Sequence, residues 1–160
     1  MFSIIIPTYN NLDYLKLCLN SIKKNSSKIH EIILHINEGT DGTLDHAKLN
    51  NLKYTYSKSN IGLCSSINLA TKLSTKDYIL YSHDDMYFCP LWDKYLIDEL
   101  EKIDHNNFYL SGTMIEPNSG HIKFNCGETI DNFDENKLLN NYKKINFYDH
   151  QGTHFAPHLV

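Results

Sequence analysis

Across its first hundred or so residues the chain alternates short apolar runs with segments of helical period, and few folds accept that rhythm. Phe2 to Ile6 reads as a buried strand ended by Pro7. From Leu12 to Ile22, the residues Leu15, Cys18, Leu19 and Ile22 recur along one helix face. Glu31 to Ile36 is a second strand, broken by the turn-forming run Asn37 to Gly42, with a short helix expected from Thr43 to Leu49. Lys53 to Ser57 follows as a strand, Leu63 to Leu73 as a helix, Asp77 to Ser82 as a strand and Leu91 to Ile103 as a helix. In that last helix Trp92, Tyr95, Leu96, Leu100 and Ile103 set the core-facing phase, with Glu99 discordant. This alternation predicts an α/β fold, an open and mostly parallel sheet with helices on both faces.

The rhythm then changes. Phe108 to Ile115 predicts a strand paired with His121 to Asn125 across the turn Pro117 to Gly120. Asp134 to Tyr142 reads as a polar helix and Ile145 to Tyr148 as a last strand. No repeat or linker intervenes, so one domain is expected over 1–160, with a regular half to residue 105 and a mixed half over 106–160 that includes a short β extension.

Composition narrows the classes of function. An apolar content of 41% with 12% aromatics is that of a chain that buries a core. A net charge of −4 leaves no basic footprint for nucleic acid. All 15 cationic residues are lysines, so the usual bidentate clamp for phosphate is missing. Any phosphate partner must be met by a metal, backbone amides, hydroxyls or lysines. Cys18, Cys64, Cys89 and Cys126 form no C-x-x-C pair, which argues against structural zinc and for free thiols in a reducing compartment. Cys18 and Cys64 fall on helices and read as packing groups. The Ile4–Ile6 run, halted by Pro7, is too short for a signal or membrane span, so a soluble, cytoplasmic protein is expected.

In open α/β sheets ligands bind beyond the carboxyl ends of the strands. Four polar loops leave such ends here: Pro7 to Asn10, Asn37 to Thr43, Ser59 to Gly62, and His83-Asp84-Asp85. The last is the most telling, because two adjacent acids at the end of a buried strand cost free energy unless paired or metal-bound. Divalent cations favour such hard oxygen ligands.

These four motifs, in order over about the first 90 residues, resemble family-2 glycosyltransferases of the GT-A fold. The opening strand and P-x-Y-N match Ile4 to Asn10; the acidic, glycine-rich loop matches Asn37 to Thr43; the N-x-G loop and a later Asn match Asn60, Gly62 and Asn68; the acidic metal motif matches His83 to Asp85. The resemblance implies a UDP-sugar donor transferred, with inversion, to an unknown acceptor that is a glycan, a protein or a small molecule. It implies a nucleotide site of Pro7, Thr8, Tyr9, Asn10, Glu38, Asn60, Gly62, Asn68, His83 and Asp84. Thr8 and Tyr9 would lie against base and ribose, Glu38 would accept from the base imide or a ribose hydroxyl, and Asn60, Gly62 and Asn68 would line the base pocket. Asp84 would hold the ribose or a metal-bound water. Asp85 would ligate Mn²⁺ or Mg²⁺ across the diphosphate, so that Asp84 and Asp85 carry the catalytic chemistry.

The chain departs from the pattern at His83, where the first acid of D-x-D is usual, and at Ile67, where an arginine often stands. Asp149 to His158 resembles the segment before the acceptor region, and the usual catalytic base lies beyond it. A minimal enzyme with a substitute base, a fragment and an inactive nucleotide-sugar-binding module therefore stay open. His154 is the candidate late metal ligand, with His150 and Asp149 (and His158) as candidate bases. A nucleotidyltransferase would show a glycine- and arginine-rich loop after the first strand, and a dinucleotide oxidoreductase a G-x-G-x-x-G run; neither is present.

Overall fold

A computed structural model describes residues 1–118, 122–144 and, as backbone, 158–159. The elements run β1 (Phe2–Tyr9), α1 (Leu12–Asn25), β2 (Glu31–Asn37), α2 (Thr43–Leu49), β3 (Lys53–Ser57), α3 (Leu63–Thr71), β4 (Tyr78–Tyr81), α4 (Trp92–Leu100), β5 (Leu110–Ser111), β6 (Ile115–Glu116), β7 (Ile122–Lys123), α5 (Glu135–Asn141) and β8 (His158–Leu159). They divide into two compact units, 1–110 with 157–160, and 111–156. Among the described residues no helix is long and apolar enough to cross a membrane.

The larger unit is built on a sheet of order β3-β2-β1-β4-β8-β5. Strands β1 to β4 are mutually parallel, and β8 runs antiparallel to β4. Central β1 is buried from Phe2 to Thr8, as expected of a parallel strand covered on both faces. Phe2, Ile4 and Ile6, with Leu34, Ile36 and Leu80, pack against Leu15, Cys18 and Ile22 of α1, Ala47 of α2, and Trp92, Leu96 and Ile97 of α4. Ile5, Ile33 and Ile79 face the other way, onto Ile67 and Ala70 of α3. The α4 stripe leans toward Ile97, which leaves Tyr95 54% exposed rather than in the core. Cys64 is likewise exposed and not a packing group, whereas Cys18 is buried.

Pro7 does not end β1, which continues to Tyr9. The reason lies in the pairing. Ile5 O accepts from Ser82 N at 3.0 Å, so Ile5 turns its backbone toward β4. Pro7, two residues on, turns the same way, but the β4 pairing stops at Ile5 and Tyr81. On that side there is no ladder for a missing N–H to break. On the other side β2 pairs with β1 through Tyr9.

At the amino end of the sheet, buried Asp93 ties the α1–β2 turn to α4. Its carboxylate accepts from Ser27 N (2.8 and 2.9 Å), Lys28 N (2.8 Å), Ser27 Oγ (3.0 Å) and His30 Nε2 (2.9 Å). His30 Nδ1 accepts from Phe2 N at 3.1 Å, which demands the neutral ring with its proton on Nε2. The ring stacks on Phe2 at 5.0 Å and meets Trp92 at 5.1 Å. Burial pushes His30 below its ordinary value, outweighing the opposing pull of Asp93. Burial alone would raise Asp93, yet the N–H groups of Ser27, His30 and Lys28 hold it below the usual carboxylate range.

The smaller unit buries Met114, Ile122, Cys126, Leu138 and Tyr142. The expected strand over Phe108–Ile115 is two short strands, β5 and β6, of which β6 belongs to this unit. The pairing of β6 with β7 is parallel, not a hairpin: Ile122 N donates to Met114 O (3.1 Å) and Phe124 N to Glu116 O (2.9 Å). Asp134 caps α5 by accepting from Lys137 N at 2.8 Å. Gly127, at φ +118°, lies where an added Cβ would come within 2.5 Å of Asn132 O. The strand expected over Ile145–Tyr148 lies outside the described residues.

Because folded His30 refuses a proton that the unfolded chain accepts near pH 6.5, its contribution to stability is full above that pH and is lost as pH falls below it. Urea midpoints should therefore drop between about pH 7.5 and 5.5, and the drop should shrink in His30→Gln. Parallel pH profiles for the two proteins would count against this account.

Candidate functional site

Where β1 outruns β4, a cleft of about 320 Å³ opens at the carboxyl end of the sheet. Its walls are Pro7, Thr8, Tyr9, Asn10 and Asn11 from the end of β1, Asn37 from β2, Asn60, Gly62, Leu63 and Ser66 from the β3–α3 turn and α3, and Asp84 after β4. The strand order reverses between β2-β1 and β1-β4, so this is the switch point of the sheet, where open α/β folds bind ligands. Among the described residues the lining holds one acid and no lysine.

The loops after β1 and β2 brace each other. Asn10 and Glu38 both adopt left-handed backbone, at φ 47° and 59°, and Asn10 Nδ2 reaches Glu38 Oε2 at 3.4 Å. Asn10 Oδ1 accepts from Thr40 N at 2.9 Å. Gly39, at φ +67°, could carry no side chain without meeting Ile36 Cγ2 at 2.8 Å. Asp41 joins the first turns of two helices, accepting from Leu12 N (2.8 Å) and Thr43 N (3.0 Å). Although burial raises Asp41, these hydrogen bonds hold it below the usual range.

Buried Asn37 links four segments. Its Nδ2 donates to Thr8 O (3.3 Å) and Ser66 Oγ (3.1 Å), and its Oδ1 accepts from Ser57 Oγ (3.1 Å) and Ile61 N (3.0 Å). The Asn60 side chain accepts from Gly62 N at 2.9 Å and shapes the turn itself.

Asp84 accepts from Asn11 Nδ2 at 3.1 Å. The buried Thr8 hydroxyl has no close hydrogen-bond partner but lies near enough to Asp84 to favour its charged form. Burial, with the neighbouring charge of Asp85, nevertheless pushes Asp84 up. Asp85 itself is exposed. Tyr81, raised to about 12 by burial and both aspartates, keeps its proton, and its hydroxyl lies 2.9 Å from His83 Nε2. The Cys18 thiol, pushed up by burial and the same two acids, donates to His83 O at 3.7 Å. Among the described residues no three of His, Cys, Asp or Glu converge on a metal position. Asp84 and Asp85 offer hard carboxylate oxygens, the donor chemistry that Mg²⁺ and Mn²⁺ take together with substrate phosphates and water.

The sequence-derived candidates Pro7, Thr8, Tyr9, Asn10, Asn60, Gly62 and Asp84 thus share one cleft. Glu38 is not among the lining residues and accepts from Asn10, which is. Asn68 is exposed on α3 and is not among the residues that line the cleft. His83 and Asp85 flank Asp84 without lining the cleft. Asp149, His150 and His154 lie outside the described residues. Sequence reasoning missed Asn11, Asn37, Leu63 and Ser66 as lining residues; the signal for Ser66 is its i+4 spacing from Gly62, whose carbonyl it bonds at 2.7 Å.

The family model for glycosyl transferase family 2 matches residues 3–158. The chain belongs to that family. An uncharacterized glycosyltransferase of Rickettsia conorii is 33% identical over 118 residues, covering 70% of this chain and 19% of that protein. One from Haemophilus influenzae is 32% identical over 111 residues, covering 66% of this chain and 34% of that protein. The family-2 chain thus spans well under half the length of these curated relatives. Its fold matches that of Staphylococcus aureus TarS 1–349 in complex with UDP, at TM-score 0.64 and 25% identity over 74% of this chain and 37% of that 1–349 chain. The complex of TarS 1–349 with UDP-GlcNAc gives 0.61 and 27%, over 74% and 36%. A Pyrobaculum calidifontis mannosyltransferase solved with GDP-Man and Mn²⁺ shares the fold, at 0.58 and 19% over 72% of this chain and 36% of that one. The family-2 fold is therefore the GT-A arrangement of a parallel sheet flanked by helices.

Removing the Asp41 carboxylate leaves two helix-start N–H groups without their caps. Asp41→Ala should cost about 1–2 kcal/mol of stability, read from the urea midpoint. A loss within error of zero would show that water replaces both caps.

Proposed function

We propose that residues 1–105 form the donor-binding half of a single GT-A domain, which takes a UDP-sugar with Mn²⁺ or Mg²⁺ and transfers the sugar, with inversion, to an acceptor. Residues 106–160 are the metal and acceptor half. The observation that carries this reading is the cleft at the switch point of the sheet, where backbone and neutral polar side chains meet a single half-buried acid. The likeness to proteins solved with UDP and UDP-GlcNAc supports the choice of nucleotide.

In this reading the exposed ring of Tyr9 offers a face to the uracil, and the unpartnered Thr8 hydroxyl finds its acceptor on the nucleotide. Glu38, Asn60 and Gly62 shape the base end, and Asp84 accepts from a ribose hydroxyl. Asp85, with Asp84, holds the cation, and His154 is proposed to complete its site. When bound, that cation supplies Lewis-acid stabilisation of charge on departing UDP. The acceptor oxygen bonds to the anomeric carbon as the bond to the diphosphate breaks, and Asp149 or His150 takes the acceptor proton. With no arginine in the chain, a cation held by Asp84 and Asp85 would have to supply most of the charge compensation. A cytoplasmic location fits four cysteines of which none is in a disulfide.

Calorimetric titration with UDP should show binding with Mn²⁺ and little or none without it. Asp85→Ala should lose at least about ten-fold of the Mn²⁺-dependent affinity while keeping its melting temperature. Equal affinity with and without metal would overturn the cation assignment. UDP binding with no UDP release from a panel of UDP-sugars and acceptors would identify a binding module instead.

A further inference from the structure

We propose that Asn37 is a positioning residue for the base end of the cleft, acting on a bound nucleoside diphosphate only through the four segments it joins. The inference rests on the donor-binding reading above and adds a role that touches no ligand. Asn37 is 4% exposed, although it stands in the cleft wall. An asparagine side chain offers two donor protons and two acceptor lone pairs: Thr8 O and Ser66 Oγ take both protons, Ile61 N–H takes one lone pair, and the Ser57 hydroxyl, whose one proton is shared with Ser59 O at 2.8 Å, faces the other. For the amide to donate to a ligand, its bond to Thr8 O or to Ser66 Oγ must break.

Each partner fixes a different piece of the wall. Thr8 O is the last carbonyl before Tyr9 on β1. Ser66, on α3, passes the contact to Gly62 O at 2.7 Å, and Ile61 N holds the same turn from its other side. Ser57 ends β3, and its Oγ lies 3.2 Å from Nε2 of buried His35. When Ser57 donates to Asn37, it accepts from His35 Nε2–H, and His35 Nδ1 then takes the Thr55 hydroxyl proton at 2.8 Å. One buried amide therefore sets the spacing between the Thr8–Tyr9 wall and the Asn60–Gly62 wall.

An aspartate here is nearly the same shape but has no donor, and it would turn a carboxylate oxygen toward Thr8 O. Asn37→Asp should leave the diphosphate end intact and blur the base end. With Mn²⁺ present, the ratio of UDP to ADP affinity, measured by calorimetry on the full chain, should fall about ten-fold. Ser66→Ala should lower the same ratio about three-fold. The two nucleotides share ribose, diphosphate and metal, so general loosening of the fold would weaken both equally; that result would overturn the proposal. If Asn37→Asp does not fold, Ser66→Ala decides alone, and an unchanged ratio overturns the positioning role. Wild-type protein that binds no UDP overturns this inference together with the donor-binding reading. Wild-type binding with unaltered variants overturns the inference only.

Discussion

The length difference between β1 and β4 governs the rest of this molecule. Both strands start in register at Phe2 and Tyr78, but β4 stops at Tyr81 while β1 continues to Tyr9 with β2 as its remaining neighbour. A parallel sheet that loses one neighbour partway along its central strand must leave a crevice there. The residues beyond that point can turn side chains and backbone toward a ligand instead of a ladder. Pro7 fits because the side of β1 left without a partner is the side on which it lacks a donor. The chain reversal from β1 into α1 and the entry of Asp84 after β4 then become two sides of one space.

Much of this was legible in the order of residues. The apolar runs of β1 and β2 read as strands because parallel strands covered on both faces carry few polar residues. The polar loops at their carboxyl ends read as a site because the topology leaves those ends together. What escaped depended on neighbours distant in sequence. The continuation of β1 past Pro7 follows from where β4 ends, which no local signal states. Tyr95 has helical spacing suited to a core, but the stripe on α4 turns toward Ile97 and leaves it in solvent. Asn37 and Ser66 look like ordinary turn and helix residues, because the directions of their hydrogen bonds exist only once four segments have met. Asn68 satisfies a spacing and sits on an exposed part of α3, away from the lining of the cleft.

Two aspartates at opposite ends of the sheet show how environment divides one residue type into two roles. Asp93 is surrounded by backbone and side-chain donors that hold it ionised, and it fastens a turn to a helix. Asp84 has fewer donors, half-burial and a like charge beside it, so its ionised form is under-compensated. The first is a finished structural contact. The second is the kind of perturbed carboxylate that a cleft, more often than a structural contact, contains.

The left-handed backbone at Asn10 and Glu38 bears on how any ligand is received. Such conformations are held against their intrinsic cost by the Asn10–Glu38 and Asn10–Thr40 contacts and by the close approach of Gly39 to Ile36. These two loops have therefore lost their conformational freedom during folding, before anything enters the cleft. A ligand meets preformed walls and need not order them, so its binding entropy carries little contribution from the loops. Affinity there is governed by the fit of the ligand's own atoms, and small misplacements of the wall translate directly into selectivity.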